Sequence, residues 1–354
     1  MNKERLAKIR RCIDSKQIDA FLVSKPENVR YLSGFTGGSD AQLLISAQDN
    51  YLLTDSRYRE QVRRECPGWQ LMEEKPPGFH KLQEVSRNYQ RIGFESHYIT
   101  HQYFLDLEQK LGTKIIALTD LVEELRICKD ENELSCLRQA AQIGDAVFKD
   151  ITAYIKAGQN EMQVANQIVY LLKEKGCSKE AFDTIVVSAE NAALPHGQPG
   201  SRIIRTGDMV TMDFGGFYQG YAGDMTRTVA INLADRSFRD RYLKLLEAQQ
   251  TGVAMVRAGM RGHEIDLAVR NCLKKYDLDQ YFLHSTGHGL GLEIHEQPRV
   301  SPLSETVLLE NMVVTIEPGI YIPGWGGIRI EDSVIVKSGG CELLTHADKN
   351  LVIV

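Results

Sequence analysis

The chain repeats itself at an interval of about one hundred residues, so any fold it adopts has to accommodate two related halves. Ile155-Lys156-Ala157-Gly158 recurs as Val256-Arg257-Ala258-Gly259, each followed by an amphipathic stretch that runs through Leu171 and Leu273 respectively. His196-Gly197-Gln198-Pro199 recurs as His295-Glu296-Gln297-Pro298. Val210-Thr211-Met212-Asp213-Phe214-Gly215 recurs as Val314-Thr315-Ile316-Glu317-Pro318-Gly319, and Asp224 is matched by Glu331. The offsets, 101, 99, 104 and 107, stay nearly constant. Two helix-then-sheet halves would bring paired carboxylates and paired histidines to one central site by pseudo-two-fold symmetry.

The paired acids carry the chemistry. Asp213 ends an apolar run and is followed by Phe214-Gly215-Gly216, the pattern of a strand delivering a carboxylate to a tight corner. Asp224 heads Met225-Thr226-Arg227-Thr228-Val229 eleven residues later, a spacing that fits a hairpin with one acid on each arm. Glu317 and Glu331 repeat the arrangement, and His288 lies between the pairs in Gly287-His288-Gly289-Leu290-Gly291. A lone acid at a strand end is usually a cap or a turn former. Four converging acids, however, repel one another unless a dication keeps them ionised. Two acids on each side frame two metals, and an oxygen-rich, single-histidine set suits Mn, Co, Zn or Fe(II). Residues 287–291 lack the strand-glycine-helix setting and ribose acid of a nucleotide loop.

Composition excludes other classes. Apolar residues make up 43% and charged residues 25%, as in ordinary globular proteins, and the net charge of −5 gives no basic footprint for nucleic acid. The charged start, Met1-Asn2-Lys3-Glu4-Arg5, is unlike a signal peptide, and no apolar stretch is long enough to span a bilayer. Seven cysteines, with no Cys-x-x-Cys pair, fit a reducing cytoplasm and free, buried thiols.

The order Asp213, Asp224, His288, Glu317, Glu331, with Ala193-Leu194-Pro195-His196-Gly197-Gln198-Pro199 before His288 and His284 to Glu296 around it, resembles the pita-bread metallopeptidases. That family includes aminopeptidase P, prolidase, methionine aminopeptidase and the metal-free creatinase. Residues 18–23, 28–35 and 53–58 resemble the leading domain of the aminopeptidase P, prolidase and creatinase branch, which methionine aminopeptidases lack. The expected architecture is therefore an α/β (α+β) protein, with a small mixed α/β domain of creatinase type over residues 1–125 and a pseudo-two-fold pita-bread catalytic domain over 126–354. In the first domain the patterning predicts helices at Lys3 to Ser15 and His101 to Leu111, and strands at Ala20 to Val23, Gln42 to Ile45 and Tyr51 to Leu53. In the second it predicts a helix from a cap at Asp130 to a stop at Gly158, then Glu161 to Lys175, Tyr242 to Arg257 and His263 to Lys275.

The resemblance implies hydrolysis of an Xaa-Pro bond by a metal-bridged water, with two divalent ions held by Asp213, Asp224, His288, Glu317 and Glu331. Manganese is the expected metal, with cobalt, zinc and iron as alternatives. It also implies that Asp224 and Glu331 bridge the ions, that His196 and His295 hydrogen-bond the scissile carbonyl, and that Glu317 shuttles a proton. His284 is expected to line the substrate pocket. Arg329, two residues before Glu331 and so on the same side of a strand, is expected to orient carboxylates or meet substrate. The expected partners are short peptides with proline second, no nucleic acid, no membrane, and a second copy of the chain in a homodimer. Arg57 and Tyr58 either reach a neighbouring subunit or serve as an internal ion pair and a core ring. The two-domain layout favours an Xaa-Pro aminopeptidase, with a prolidase as the alternative. A creatinase-like amidinohydrolase or a silent binding module is remote, because all five ligands are retained.

Overall fold

The computed structural model describes residues 3–354, and the chain divides between Arg126 and Ile127 into two compact units. The first unit is built on one six-stranded sheet. Its strands are β1 (Ala20–Val23), β2 (Ala41–Ser46), β3 (Asn50–Thr54), β4 (Gln70–Glu73), β5 (Arg91–Glu95) and β6 (Lys114–Leu118), in the order β4-β3-β2-β1-β5-β6. β1 is buried along its whole length, as an apolar run without alternation requires of a central strand. Its helices are α1 (Lys3–Ser15), α2 (Pro26–Ser33), α3 (Arg59–Glu65), α4 (His80–Ser86), α5 (His101–Leu111) and α6 (Glu123–Arg126). α1 buries Leu6, Ile9 and Ile13, one stripe of a 3.6-residue period. Arg57 pairs with Asp55 at 2.7 Å, while Tyr58 donates to Asp40 Oδ2 at 2.5 Å and sets its ring edge-on to Phe35. Both side chains thus have partners inside this unit, with Arg57 exposed and Tyr58 half-buried at the edge of the core.

The second unit repeats one design. Helices α7 (Glu131–Tyr154) and α8 (Glu161–Glu174) precede β7 (Ile185–Ser188), β8 (Met209–Phe214), the small hairpin β9 (Phe217–Tyr218) and β10 (Tyr221–Ala222), and β11 (Met225–Ala230). Helices α9 (Arg236–Met255) and α10 (Gly262–Lys274) precede β12 (Gly287–Gly289), β13 (Glu296–Val300), β14 (Val313–Ile316), the hairpin β15 (Gly319–Ile322) and β16 (Gly326–Arg329), β17 (Asp332–Lys337) and β18 (Gly340–Leu343). The main sheets run β11-β8-β7 and β13-β12-β14-β17-β18, so β8 with β11 corresponds to β14 with β17. The copies are not identical. Asp213 pairs with Thr226 in the first half, whereas Ile316 pairs with Asp332 in the second, which leaves Glu317 and Glu331 just past the end of pairing.

Period-2 alternation then decides which side chains meet the helices and which meet the site. Val210, Met212 and Phe214 of β8 join Met225 and Val229 of β11 in a core with Val147, Ile151, Val164 and Ile168 of α7 and α8. Val314 and Ile316 join Val334 and Val336 in the corresponding core of the second half. The residues of opposite parity, Thr211 and Asp213, Asp224, Thr226 and Thr228, and Glu331 and Ser333, are left facing the other way.

Two helix ends differ from the sequence expectation by more than two residues. α7 begins as expected, with a reciprocal capping box in which Asp130 accepts from the Glu133 amide and Glu133 accepts from the Asp130 amide. It stops at Tyr154, because Ile155 is extended, and Gly158 instead makes a left-handed turn at φ 95°. α9 starts six residues before Tyr242, because Asp235 caps it by accepting from the Phe238 amide. No described helix is long and apolar enough to cross a membrane. Asp130→Ala, which removes the cap of the longest helix, is expected to cost about 1 kcal/mol. The check is the urea midpoint, which should fall with an unchanged m-value; an unmoved midpoint would show that the cap carries no stability.

Candidate active site

The alternation just described delivers the sequence-picked acids to one cavity of about 380 Å³, lined by Asp213, Asp224, His288, Glu317 and Glu331 together with His196, His284, His295 and Arg329. All nine candidate site residues therefore meet. One oxygen each of Asp213, Asp224 and Glu331 lies within 4.8 Å of the others. His288 Nε2 stands 3.5 Å from Asp224 Oδ2 and 3.4 Å from Glu317 Oε1. β12, which carries His288, approaches β14 so closely that a Cβ on Gly287 would sit 1.9 Å from the Thr315 carbonyl oxygen. Only glycine permits that approach.

The electrostatics of this cluster call for a cation. His288 Nδ1 lies 3.0 Å from the Gly289 carbonyl, which can only accept, so Nδ1 carries the proton. Burial pushes the His288 pKa down to about 4, so the ring is neutral and Nε2 presents a lone pair to two carboxylates. Burial, and then repulsion from Glu331, Asp213 and Glu317, raises the Asp224 carboxyl well above its ordinary range. Burial raises Glu331 likewise, with Glu317 and Asp213 adding to it, and pushes Glu317 up to about 8. Asp213 Oδ1 and Glu331 Oε1 are buried without a hydrogen-bond partner. Orphaned anionic oxygens, a preset imidazole lone pair and mutual repulsion fit divalent ions held by these five side chains, and the ions' own charge would reverse the upward shifts.

A layer of donors fixes the other oxygens. Arg329, 4% exposed, gives Nη2 to Asp213 Oδ2 at 2.6 Å and Nε to Thr226 Oγ1 at 3.1 Å. Thr226 Oγ1 in turn donates to Glu331 Oε2 at 2.7 Å. Arg329 Nη1 reaches the Pro195 carbonyl and the Tyr321 hydroxyl, and Tyr321 Oη lies 2.8 Å from His284 Nε2. His284 Nδ1 faces the Ser285 carbonyl and must donate to it, so Nε2 accepts from Tyr321. Both His284 nitrogens and most Arg329 donors are thereby engaged by the protein. His295 stacks its ring edge-on to His288 with centroids 4.4 Å apart, and it and His196 keep exposed surface toward the cavity.

Comparison with known proteins agrees with this geometry. Residues 135–338 match the profile of metallopeptidase family M24, and residues 5–128 match the creatinase/prolidase N-terminal domain. The chain belongs to family M24. It is 36% identical over 351 residues to the Xaa-Pro dipeptidase of Pyrococcus furiosus, covering 99% of this chain and 100% of that protein. Among solved structures, the Xaa-Pro dipeptidase from Bacillus anthracis superposes with a TM-score of 0.96 at 38% identity, covering 99% of each chain. The X-Pro aminopeptidase from Thermotoga maritima gives 0.90 at 35% identity, covering 96% of this chain and 98% of that one. The first unit is thus a creatinase-type domain and the second the pita-bread domain of an M24 metallopeptidase.

Three residues of this M24 site escaped sequence reasoning. Thr226 was within reach of it, being two residues from Asp224 on the same strand face. Tyr321 and Arg299 carry no local signature: one is an aromatic in a strand, the other a surface cation, until the fold brings both to the cavity or its supports. Asp224→Asn removes one buried charge from the cluster together with a candidate ligand. Without metal, its thermal midpoint is expected at or above that of the parent, and Mn(II) should raise the parent's midpoint but not the variant's. A variant that is destabilised when metal-free yet still stabilised by Mn(II) would contradict the ligand assignment.

Proposed function

We propose that this M24 metallopeptidase is an Xaa-Pro dipeptidase. The observation that carries this reading is Arg299, which lines the cavity beside the ligands and whose charge acts on both His288 and His295. Among the described residues no carboxylate pairs with its guanidinium. A permanent cation at that place suits the free carboxylate of a dipeptide, whereas a longer peptide would offer a neutral amide there. Phe182, Ile185 and Ile294 supply apolar lining suited to a proline ring. The aminopeptidase reading favoured by the two-domain layout gives way to its alternative, because relatives at 36% and 38% identity bear the name Xaa-Pro dipeptidase. It remains the second reading on the strength of the Thermotoga maritima structure.

Asp213, Asp224, His288, Glu317 and Glu331 would hold two divalent ions. When bound, such ions supply Lewis acidity and lower the pKa of water. Arg329 and Thr226 orient Asp213 and Glu331 through hydrogen bonds, so that each keeps one oxygen for the ions. His295 and His196, both facing the cavity, donate to the oxygen of the scissile carbonyl as negative charge develops on it. As water adds to the carbonyl carbon and the C–N bond breaks, Glu317 takes the proton from the water and passes it to the proline nitrogen, which cannot leave without one. Arg299 binds the terminal carboxylate. Manganese and a homodimeric state belong to the same proposal and rest on the family resemblance, while a cytoplasmic location rests on the seven cysteines without a Cys-x-x-Cys pair.

The test is the Mn(II)-reconstituted protein assayed on a matched Xaa-Pro dipeptide, its C-terminal amide, an Xaa-Pro-Zaa tripeptide and a dipeptide without proline. The free dipeptide is expected to be the best substrate. Arg299→Ala should lower its kcat/KM roughly 10- to 100-fold while barely affecting the amide. Preference for the tripeptide, with Arg299→Ala unchanged on the dipeptide, would establish the aminopeptidase reading instead.

A further inference from the structure

Glu161, the first residue of α8, is a fully buried carboxylate outside the active-site cavity. Its Oε1 accepts from the Ser188 amide at 2.7 Å, from Ser188 Oγ at 2.7 Å and from Asn191 Nδ2 at 3.2 Å. Its Oε2 accepts from the Gly200 amide at 3.1 Å and from Asn191 Nδ2 at 3.3 Å. Backbone bonds add to the attachment, with the Glu161 amide donating to the Arg202 carbonyl and the Met162 amide to the Gly200 carbonyl. One carboxylate therefore ties together both ends of the segment 188–200, and His196 lies within it.

That segment needs such a tie. After a single 3-10 turn at Ala189–Ala193 it contains no regular structure, so no strand or helix ladder sets the direction of His196. Its other attachments hold mainly the end before His196, where Glu190 pairs with Arg202 and Ala192 packs in the core; around His196 the Pro195 carbonyl accepts from Arg329, and Gly197 packs so near Val187 that a Cβ there would lie 2.8 Å from its methyl. The second half also ties a histidine-bearing segment to its second helix, though that segment carries His284 rather than His295, the counterpart of His196. Asp266 of α10, 1% exposed, accepts from the Thr286 amide at 3.1 Å and Thr286 Oγ1 at 2.9 Å, and pairs with Arg270, which reaches the His284 carbonyl. Each half thus commits one buried carboxylate, on its second helix, to a segment that carries a cavity histidine, His196 in the first half and His284 in the second.

We infer that Glu161 is a positioning residue for His196, holding the imidazole at the scissile carbonyl without touching substrate or metal. This rests on the peptidase reading above. An amide in place of the carboxylate keeps the shape but turns one acceptor oxygen into a donor, which must then face the Ser188 or the Gly200 amide. One end of the segment is released.

The experiment combines Glu161→Gln, His196→Ala and the double variant. It uses Mn(II)-loaded protein with whichever Xaa-Pro substrate the parent turns over, so a failed dipeptidase assignment does not decide the outcome. Glu161→Gln is expected to retain the parent's Mn(II) content and lose kcat roughly 10- to 100-fold. In the His196→Ala background it should add less than about a twofold loss. Equal losses in both backgrounds, or loss of Mn(II) with loss of activity, would overturn the inference. Amide hydrogen exchange gives a readout independent of turnover: the peptide spanning 194–200 should exchange faster in Glu161→Gln while the peptide around His288 does not change. Unchanged protection at 194–200 would also overturn it. Should Glu161→Gln fail to fold, Asn191→Ala, which removes a donor to both carboxylate oxygens, is expected to give the same exchange pattern and the same non-additivity with His196→Ala.

Discussion

Negative charge and lone pairs converge in this catalytic domain on a buried point that has no protein cation at its centre. His288 Nε2 faces Asp224 and Glu317 at 3.4–3.5 Å with its proton committed to the opposite nitrogen, and Asp213 and Glu331 each leave a buried oxygen without a partner. A chain evolved only for stability would place well-packed apolar groups here, since isolated buried charges are destabilising. Divalent ions are the species that make the arrangement favourable. The surrounding architecture holds these acids together.

That holding is done by duplicated structure. In each half, two helices bury one parity of two antiparallel strands, and the opposite parity is left to carry acids into the cavity, with hydroxyls beside them that do not line it. A second buried polar layer fastens the halves of the domain to one another. Arg227, 1% exposed, donates to the carbonyls of Thr226 and Glu331 and pairs with Asp332, which also binds Lys349, Gln249 and Thr345. Ser333 Oγ donates to the Asp224 carbonyl. The backbones of both proposed bridging acids are therefore anchored by groups that never face the cavity, and their side chains are free to serve the ions.

Much of this was legible in the chain because the signals were local or repeated. The apolar run Ala20 to Val23 and the amphipathic stretches at Lys3 to Ser15 and His101 to Leu111 form elements with the bounds their patterns suggest. The four acids stand out through strand, carboxylate and turn contexts that recur at a nearly constant offset. Contacts remote in sequence were not legible. Tyr321 meets His284 across 37 residues and Arg329 meets Asp213 across 116, and only tertiary packing makes these neighbours. Glu161 reads locally as an ordinary first-turn acid of a capped helix; its hold on Ser188 and Gly200 emerges only when the segment folds back onto α8. Gly158 and Tyr242 misplaced helix ends for a simpler reason, since a glycine can mark a turn beyond a helix, and Asp235 outcompetes the first apolar residue as a starting signal.

The central claim is that the five side chains form one two-ion centre, and anomalous diffraction from crystals grown with Mn(II) tests it most directly. Two peaks are expected, one against Asp213 and one against His288 and Glu317, with Asp224 and Glu331 contacting both. A single peak, or manganese bound elsewhere with His288 still facing Asp224 and Glu317 across an empty gap, would contradict it.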